Sequence, residues 1–194
     1  MTKDELSGIW NYYLSLERDL ANTSRYIEPV GQECVHSFEF TKLIILACTE
    51  VESVFKWLCA EIDGTRGCGN IADYKQVILG KYPRIVDASV TISRLGRSIT
   101  PFEKWDSEKL SWWDAYTQVK HNRGKNFGDA SYINAVLSLS GLYILIFYLA
   151  KTANLEFSDY KADYIDSQYA HPAIFCAPNK QLPDFEEVHN ETSI

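Results

Sequence analysis

Two stretches of this chain are too apolar to leave any side facing water, and they constrain the rest of the fold. Ile133–Ala150 runs for 18 residues without a charged side chain. Leu43–Cys48 (LIILAC) is apolar nearly all round within a longer helical pattern. A helix that is apolar on every side is either internal to a protein or crosses a membrane. Ile133–Ala150 reaches the lower end of spanning length only by including Asn134, Ser138, Ser140 and Gly141, and no basic cluster flanks it beyond Lys151. It therefore reads as a buried central helix, and its neighbours must be amphipathic.

The neighbours fit that demand. Leu6, Ile9, Trp10, Tyr13, Leu16 and Leu20 recur at three- and four-residue steps, which predicts a first helix over 4–27, closed by Pro29. Phe40, Leu43, Ile44, Ala47, Val51, Val54, Phe55 and Leu58 form a wide apolar face on a second helix over 37–62. The glycine-rich GTRGCG lacks the GK[ST] ending of a phosphate loop and reads as a turn. Asn70 caps a short helix over 71–79, which Gly80 and Pro83 bring to a stop. Between 84 and 101 the apolar residues become β-branched and alternate, with a turn at Gly96, as in a small hairpin. Ser111 caps a helix holding 112–123, with Gly124 as its C-cap. Asp129 or Ala130 opens the last helix, which runs to about 153. The fold class is thus all-α: a bundle of four to five helices spanning 1–153, with a hairpin insertion at about 84–101. Residues 154–194 form an irregular extension that packs on the bundle through Tyr164, Tyr169 and Phe175 and is loose over its last dozen residues.

Several chemistries are excluded by what the chain lacks. A net charge of −7 argues against broad adhesion to nucleic acid, while leaving room for a local basic site. Five cysteines with no CxxC pair fit reduced thiols, and Cys34, His36 and Cys68 lack a zinc spacing, so neither metal nor cofactor is expected. There is no HExxH helix and no GxSxG elbow. The opening MTKDELSGIW has no apolar core of signal-peptide length, so a cytoplasmic protein that does not engage a membrane is expected.

The chemistry that remains is concentrated in WWDAYTQVKHNRGKNF, Trp112–Phe127. On a helix Tyr116, Lys120 and Arg123 share one face, and His121 lies beside Lys120. Arg123 offers a planar fork for phosphate, Lys120 a point charge, and His121, next to two cations, a base that resists protonation. Asn122 completes the cluster. Glu50 and Glu52 on the second helix are the acids expected to meet it, either orienting the histidine or closing a structural polar network. Basic residues in a last helical turn also serve simply as caps for its carbonyls. Trp105, Trp112 and Trp113 are available to stack RNA bases, although adjacent tryptophans more often fill a core.

The order of these motifs resembles bacterial proteins of the HEPN superfamily. ACTEVESVFKWLC (47–59) is followed by a hairpin and PFEKW, then by WWDAYTQVKHNR and a long apolar helix, and the resemblance covers roughly residues 6–153. It implies an all-α bundle, commonly a homodimer, and often a metal-independent endoribonuclease of toxin–antitoxin or phage-defence systems. In such enzymes an arginine and a histidine act on the phosphodiester, and the 2′-hydroxyl attacks to leave a cyclic phosphate. His121 matches the family histidine. The family arginine stands five to seven residues earlier, where this chain has Tyr116, Ala115 and Asp114.

Two functions follow as expectations. One is a cytoplasmic, dimeric RNA- or nucleotide-binding protein in which His121 is the base and Lys120, Arg123, Tyr116 and Asn122 hold phosphate. The other is a non-catalytic interaction or scaffold protein, binding a protein partner, in which the KHNR segment is structural. A third possibility, a membrane-anchored protein, requires Ile133–Ala150 to face lipid.

Overall fold

The computed structural model describes residues 1–65, 67–92, 95–155, 175–176 and 182–185. Its centre is the helix expected to lie there. Helix α5 (Tyr132–Thr152) is surrounded on nearly every side, and 78% of its most apolar 18-residue window is buried. Among the described residues it is the one helix long and apolar enough to cross a membrane, and its burial is that of a core element. Helix α2 (Phe38–Ile62) lies against it over most of its length, as its apolar stripe requires. Helix α1 (Lys3–Thr23) packs on both, meeting α5 through an aromatic cluster of Trp10, Tyr13, Tyr143 and Phe147. Helix α3 (Ile71–Lys81) and helix α4 (Ser111–Asn122) complete the bundle.

Most boundaries follow from capping chemistry. Thr2 and Glu5 form a reciprocal capping box on α1, and Ser37 accepts from the Phe40 N–H to start α2. Asn70 accepts from the Ala72 and Asp73 N–H groups to start α3, as the sequence predicts. Ser131 accepts from the Asn134 N–H, so α5 begins at Tyr132 rather than at Asp129 or Ala130. Its C-terminus closes on Asn154, in the left-handed region at φ 54°. There the Leu155 N–H donates to the Ala150 carbonyl, the pattern of a Schellman turn.

Three expectations shift. Helix α1 ends at Thr23, and 24–27 follow as turns. The hairpin is shorter than 84–101: Pro83–Asp87 is a 3-10 turn, and only β1 (Val90–Ile92) and β2 (Arg97–Ile99) pair, antiparallel, with Val90 opposite Ile99. A two-residue strand from the C-terminal extension, β3 (Phe175–Cys176), adds to the other edge of β1. Tyr164, Tyr169 and the terminal dozen residues lie outside the described residues. Leu182–Phe185 does reach the bundle: Phe185 packs on Tyr82 and Tyr148, and the Tyr148 hydroxyl donates to Asp184 at 2.9 Å.

The adjacent tryptophans now have distinct roles. Trp112 is 1% exposed, donates its Nε1–H to the Pro101 carbonyl at 2.8 Å, and lies where any Cβ on Gly141 of α5 would have to be. Trp113 turns the other way and meets the Phe55 ring edge-on. Together they lock α4 against α5 and α2, and so fix where its last turn projects.

Candidate functional site

The last turn of α4 and the residues after it sit at one end of the bundle, beside the start of α2 and the start of α5. Backbone pairing holds that end together. The Tyr132 N–H donates to the Val35 carbonyl at 2.8 Å and the Ile133 N–H to Glu33, while the Ser37 N–H donates to Ala130. The α1–α2 linker is thereby stitched across the α4–α5 linker, two segments distant in sequence.

Lys120, His121, Asn122 and Arg123 are all exposed, whereas Tyr116 is buried. The four do not converge. Lys120 turns back along the helix and donates to the Tyr116 hydroxyl at 2.9 Å. That contact, helped by the more distant Glu52 carboxylate, lifts the Lys120 pKa above the ordinary lysine value. Arg123 goes the other way: its guanidinium lies 5.1 Å from the centre of the Phe38 ring. Asn122 uses its side-chain oxygen locally, accepting from the Lys125 N–H at 3.3 Å. His121 is exposed and, among the described residues, makes no hydrogen bond or ion pair. Gly124 does not take the left-handed conformation of a C-cap, which only Gly31 and Gly96 among the glycines adopt. Ser111 does not cap α4 either: Leu110 holds that position and has no acceptor to offer.

Glu50 and Glu52 part company. Two residues along a helix amount to about 200° of rotation, so the pair cannot face one neighbour. Glu52 faces α4 and bonds Lys56 at 3.0 Å, with Lys120 within electrostatic reach. Glu50 lies on the opposite edge of α2, against α1, where burial raises its pKa and where its charge helps raise that of the partly buried Tyr12. Glu50 therefore takes no part in the basic end.

A residue that the sequence reading passed over completes the site. Phe38 is 68% exposed, although its ring is flanked by Arg123 and by Phe127 at 5.1 Å, and Phe127 in turn meets His36 edge-on at 5.0 Å. The available signal was its phase on α2: Phe38 falls about 200° from Phe40, off the apolar stripe. By contrast Trp105 and Trp112 are core residues and Trp113 is half-buried. The resulting surface sets Arg123 against an exposed phenylalanine, with His36 reached through Phe127, while His121 and Lys125 are exposed near Arg123 in the chain; no carboxylate pairs with Arg123 or Lys125 among the described residues. Among those residues, no three metal-ligating side chains gather.

Comparison of the chain with protein-family models, with curated proteins and with solved structures returns no match.

Proposed function

We propose that this protein is a HEPN-like, RNA-binding module of the bacterial defence or toxin–antitoxin kind, one that holds single-stranded RNA without cutting it. The observation that carries the reading is the Arg123 guanidinium over the exposed Phe38 ring, with His121 and Lys125 exposed two residues to either side of Arg123 in a chain of net charge −7. Single-stranded RNA is bound by aromatic faces that stack bases and by cations that track phosphate, and both are supplied here within a few residues. Arg123 and Lys125 hold phosphate, Phe38 stacks a base, and His121 contacts the backbone. Cleavage is set aside because Tyr116 stands at one of the positions of the family arginine, is 3% exposed, and has its hydroxyl engaged by Lys120. The protein works in the cytoplasm, off the membrane, as a homodimer that brings two such ends together.

Binding of a fluorescein-labelled single-stranded RNA of about 12 nucleotides, followed by anisotropy at low and moderate salt, tests this reading. Phe38→Ala should weaken binding by about 5- to 100-fold, the range for one stacked base. Arg123→Ala should weaken it across sequences and reduce the salt dependence by about one counterion. If neither substitution weakens binding, or the intact chain does not bind, the proposal is sunk. A second reading, a non-catalytic interaction protein, draws on Lys120, which is engaged within α4 by the Tyr116 hydroxyl and feels the Glu52 carboxylate of α2 only at a distance. It gains if Phe38, His121 and Arg123 variants leave RNA untouched while Lys120→Met lowers the melting temperature.

A further inference from the structure

Toward the start of α4, away from the Lys120–Lys125 turn, helices α3 and α4 and the connection before α4 enclose a cavity of about 310 Å³. Its apolar part includes Trp105 and Trp113. Both indoles are held in place by one ring: Trp105 stacks on Phe55 at 5.5 Å and Trp113 meets Phe55 edge-on at 5.8 Å. Such a floor is preorganised, so little side-chain freedom is lost when something settles on it.

The rim is charged, and its charges are unevenly satisfied. Lys75, half-buried on α3, and Lys109, exposed, both border the cavity, and neither makes an ion pair or hydrogen bond among the described residues. Of the two acids on the rim, Glu108 lies 3.9 Å from Lys104. Asp114 lies in the first turn of α4, where a carboxylate complements the helix dipole, and Leu110 at the N-cap brings no acceptor of its own. Two lysines thus face a rigid aromatic cavity without a committed counter-charge.

We propose that this cavity is a binding site for a small planar organic anion, an aromatic carboxylate. Its rings rest against the half-buried Trp113, with the almost wholly covered Trp105 contributing only to the lining, and its carboxylate meets Lys75 and Lys109. The volume stands at the lower end of the range for ligand sites, which limits the guest to one or two fused rings. The site is separate from the basic end and does not depend on the RNA-binding reading.

The test is calorimetric titration of the full chain with 2-naphthoate, alongside the neutral 2-naphthalenemethanol. Saturable binding of the anion below about 1 mM is expected, with the alcohol at least about tenfold weaker. Lys75→Met and Lys109→Met should each weaken the anion by about tenfold and leave the alcohol unchanged. Ala72→Trp, from an exposed helical position on the lining, should abolish binding while the circular dichroism stays helical. Lys151→Ala, exposed in the last turn of α5 and outside the cavity lining, should leave both affinities unchanged. Equal affinity for anion and alcohol, indifference to both lysine substitutions, or full binding by a folded Ala72→Trp protein would each overturn the proposal, as would no binding at all.

Discussion

Gly141→Ala is the substitution whose sign the packing decides. A Cβ on Gly141 would stand 2.9 Å from Cζ2 and 3.1 Å from Cη2 of Trp112. Carbon atoms prefer about 3.5–4.0 Å, so both contacts are deep in the repulsive range. The indole has nowhere to go: it is 1% exposed, its Nε1–H is held by the Pro101 carbonyl at 2.8 Å, and Phe102 and Trp113 flank it with ring centres 6.0 Å away. Overpacking of this kind costs about 1–3 kcal/mol. Against it, alanine is better than glycine inside a helix by about 1 kcal/mol. The net is a loss of up to about 2 kcal/mol, or up to about 8 °C in melting temperature for a chain of this size. Gly8→Ala and Gly80→Ala are the internal controls, since both glycines lie within helices with nothing within 4 Å of the new carbon. They should stabilise by about 0.4–1 kcal/mol. Urea denaturation of all three variants, followed by far-UV circular dichroism, reads the comparison. If Gly141→Ala stabilises as much as Gly8→Ala, then Trp112 does not pack where the argument requires.

Two further outcomes follow from titration and burial. Burial raises the Glu50 pKa above its ordinary value of 4.5, so the folded state disfavours the charged form and loses stability as pH rises from about 4.5 through that raised value. Glu50→Gln should therefore be more stable than the parent at pH 7 and no more stable at pH 3; an equal difference at both pH values contradicts the burial argument. Burial also pushes the Cys48 thiol up to about 12, whereas Cys34 is exposed, so iodoacetamide at pH 8 should alkylate Cys34 in the native protein and reach Cys48 only after unfolding. Peptide mass spectrometry separates the two, and native labelling of Cys48 would refute its placement.

What could be read in advance divides by the range of the physics involved. Periodicity and capping are local, so the helices, the Asn70 cap and the central position of Ile133–Ala150 are legible in the chain. The place of Ser131 as N-cap is less so, because Asp129, Ala130 and Ser131 differ little until Ser37 and Val35 bond across to that segment. The candidate site depends on such distant contacts. Arg123 shares a helical face with Tyr116 and Lys120 on paper, yet its guanidinium is captured by Phe38, which arrives as the first residue of α2. No spacing within Trp112–Phe127 encodes that arrival. The separation of Glu50 from Glu52, by contrast, was available from helical phase alone, since two positions on one helix cannot both face a third. The cavity between α3 and α4 has no signature in the sequence, because its two lysines come from different elements brought together only by the fold.

Tyr116 also bears on the chemistry this fold can support. The position lies on the buried face of α4, with Trp112, Ala115 and Val119, and its hydroxyl ends beside Lys120 on the edge that faces Glu52. A guanidinium placed there would meet Lys120 as a like charge and Glu52 as the nearest acid, and the ion pair with Glu52 would hold it at the α2–α4 seam. His121 is exposed on the helix surface, and the proposed phosphate ligands Arg123 and Lys125 lie after it in the chain. Placing an arginine where the proposed HEPN likeness would have one, by Tyr116→Arg, should therefore not create a ribonuclease. Metal-free incubation of the variant with single-stranded RNA, resolved on a denaturing gel, is expected to show intact substrate and no cyclic-phosphate ends. Cleavage by Tyr116→Arg that disappears in the double variant with His121→Ala would refute this argument and show that position 116 does reach a substrate held at the histidine.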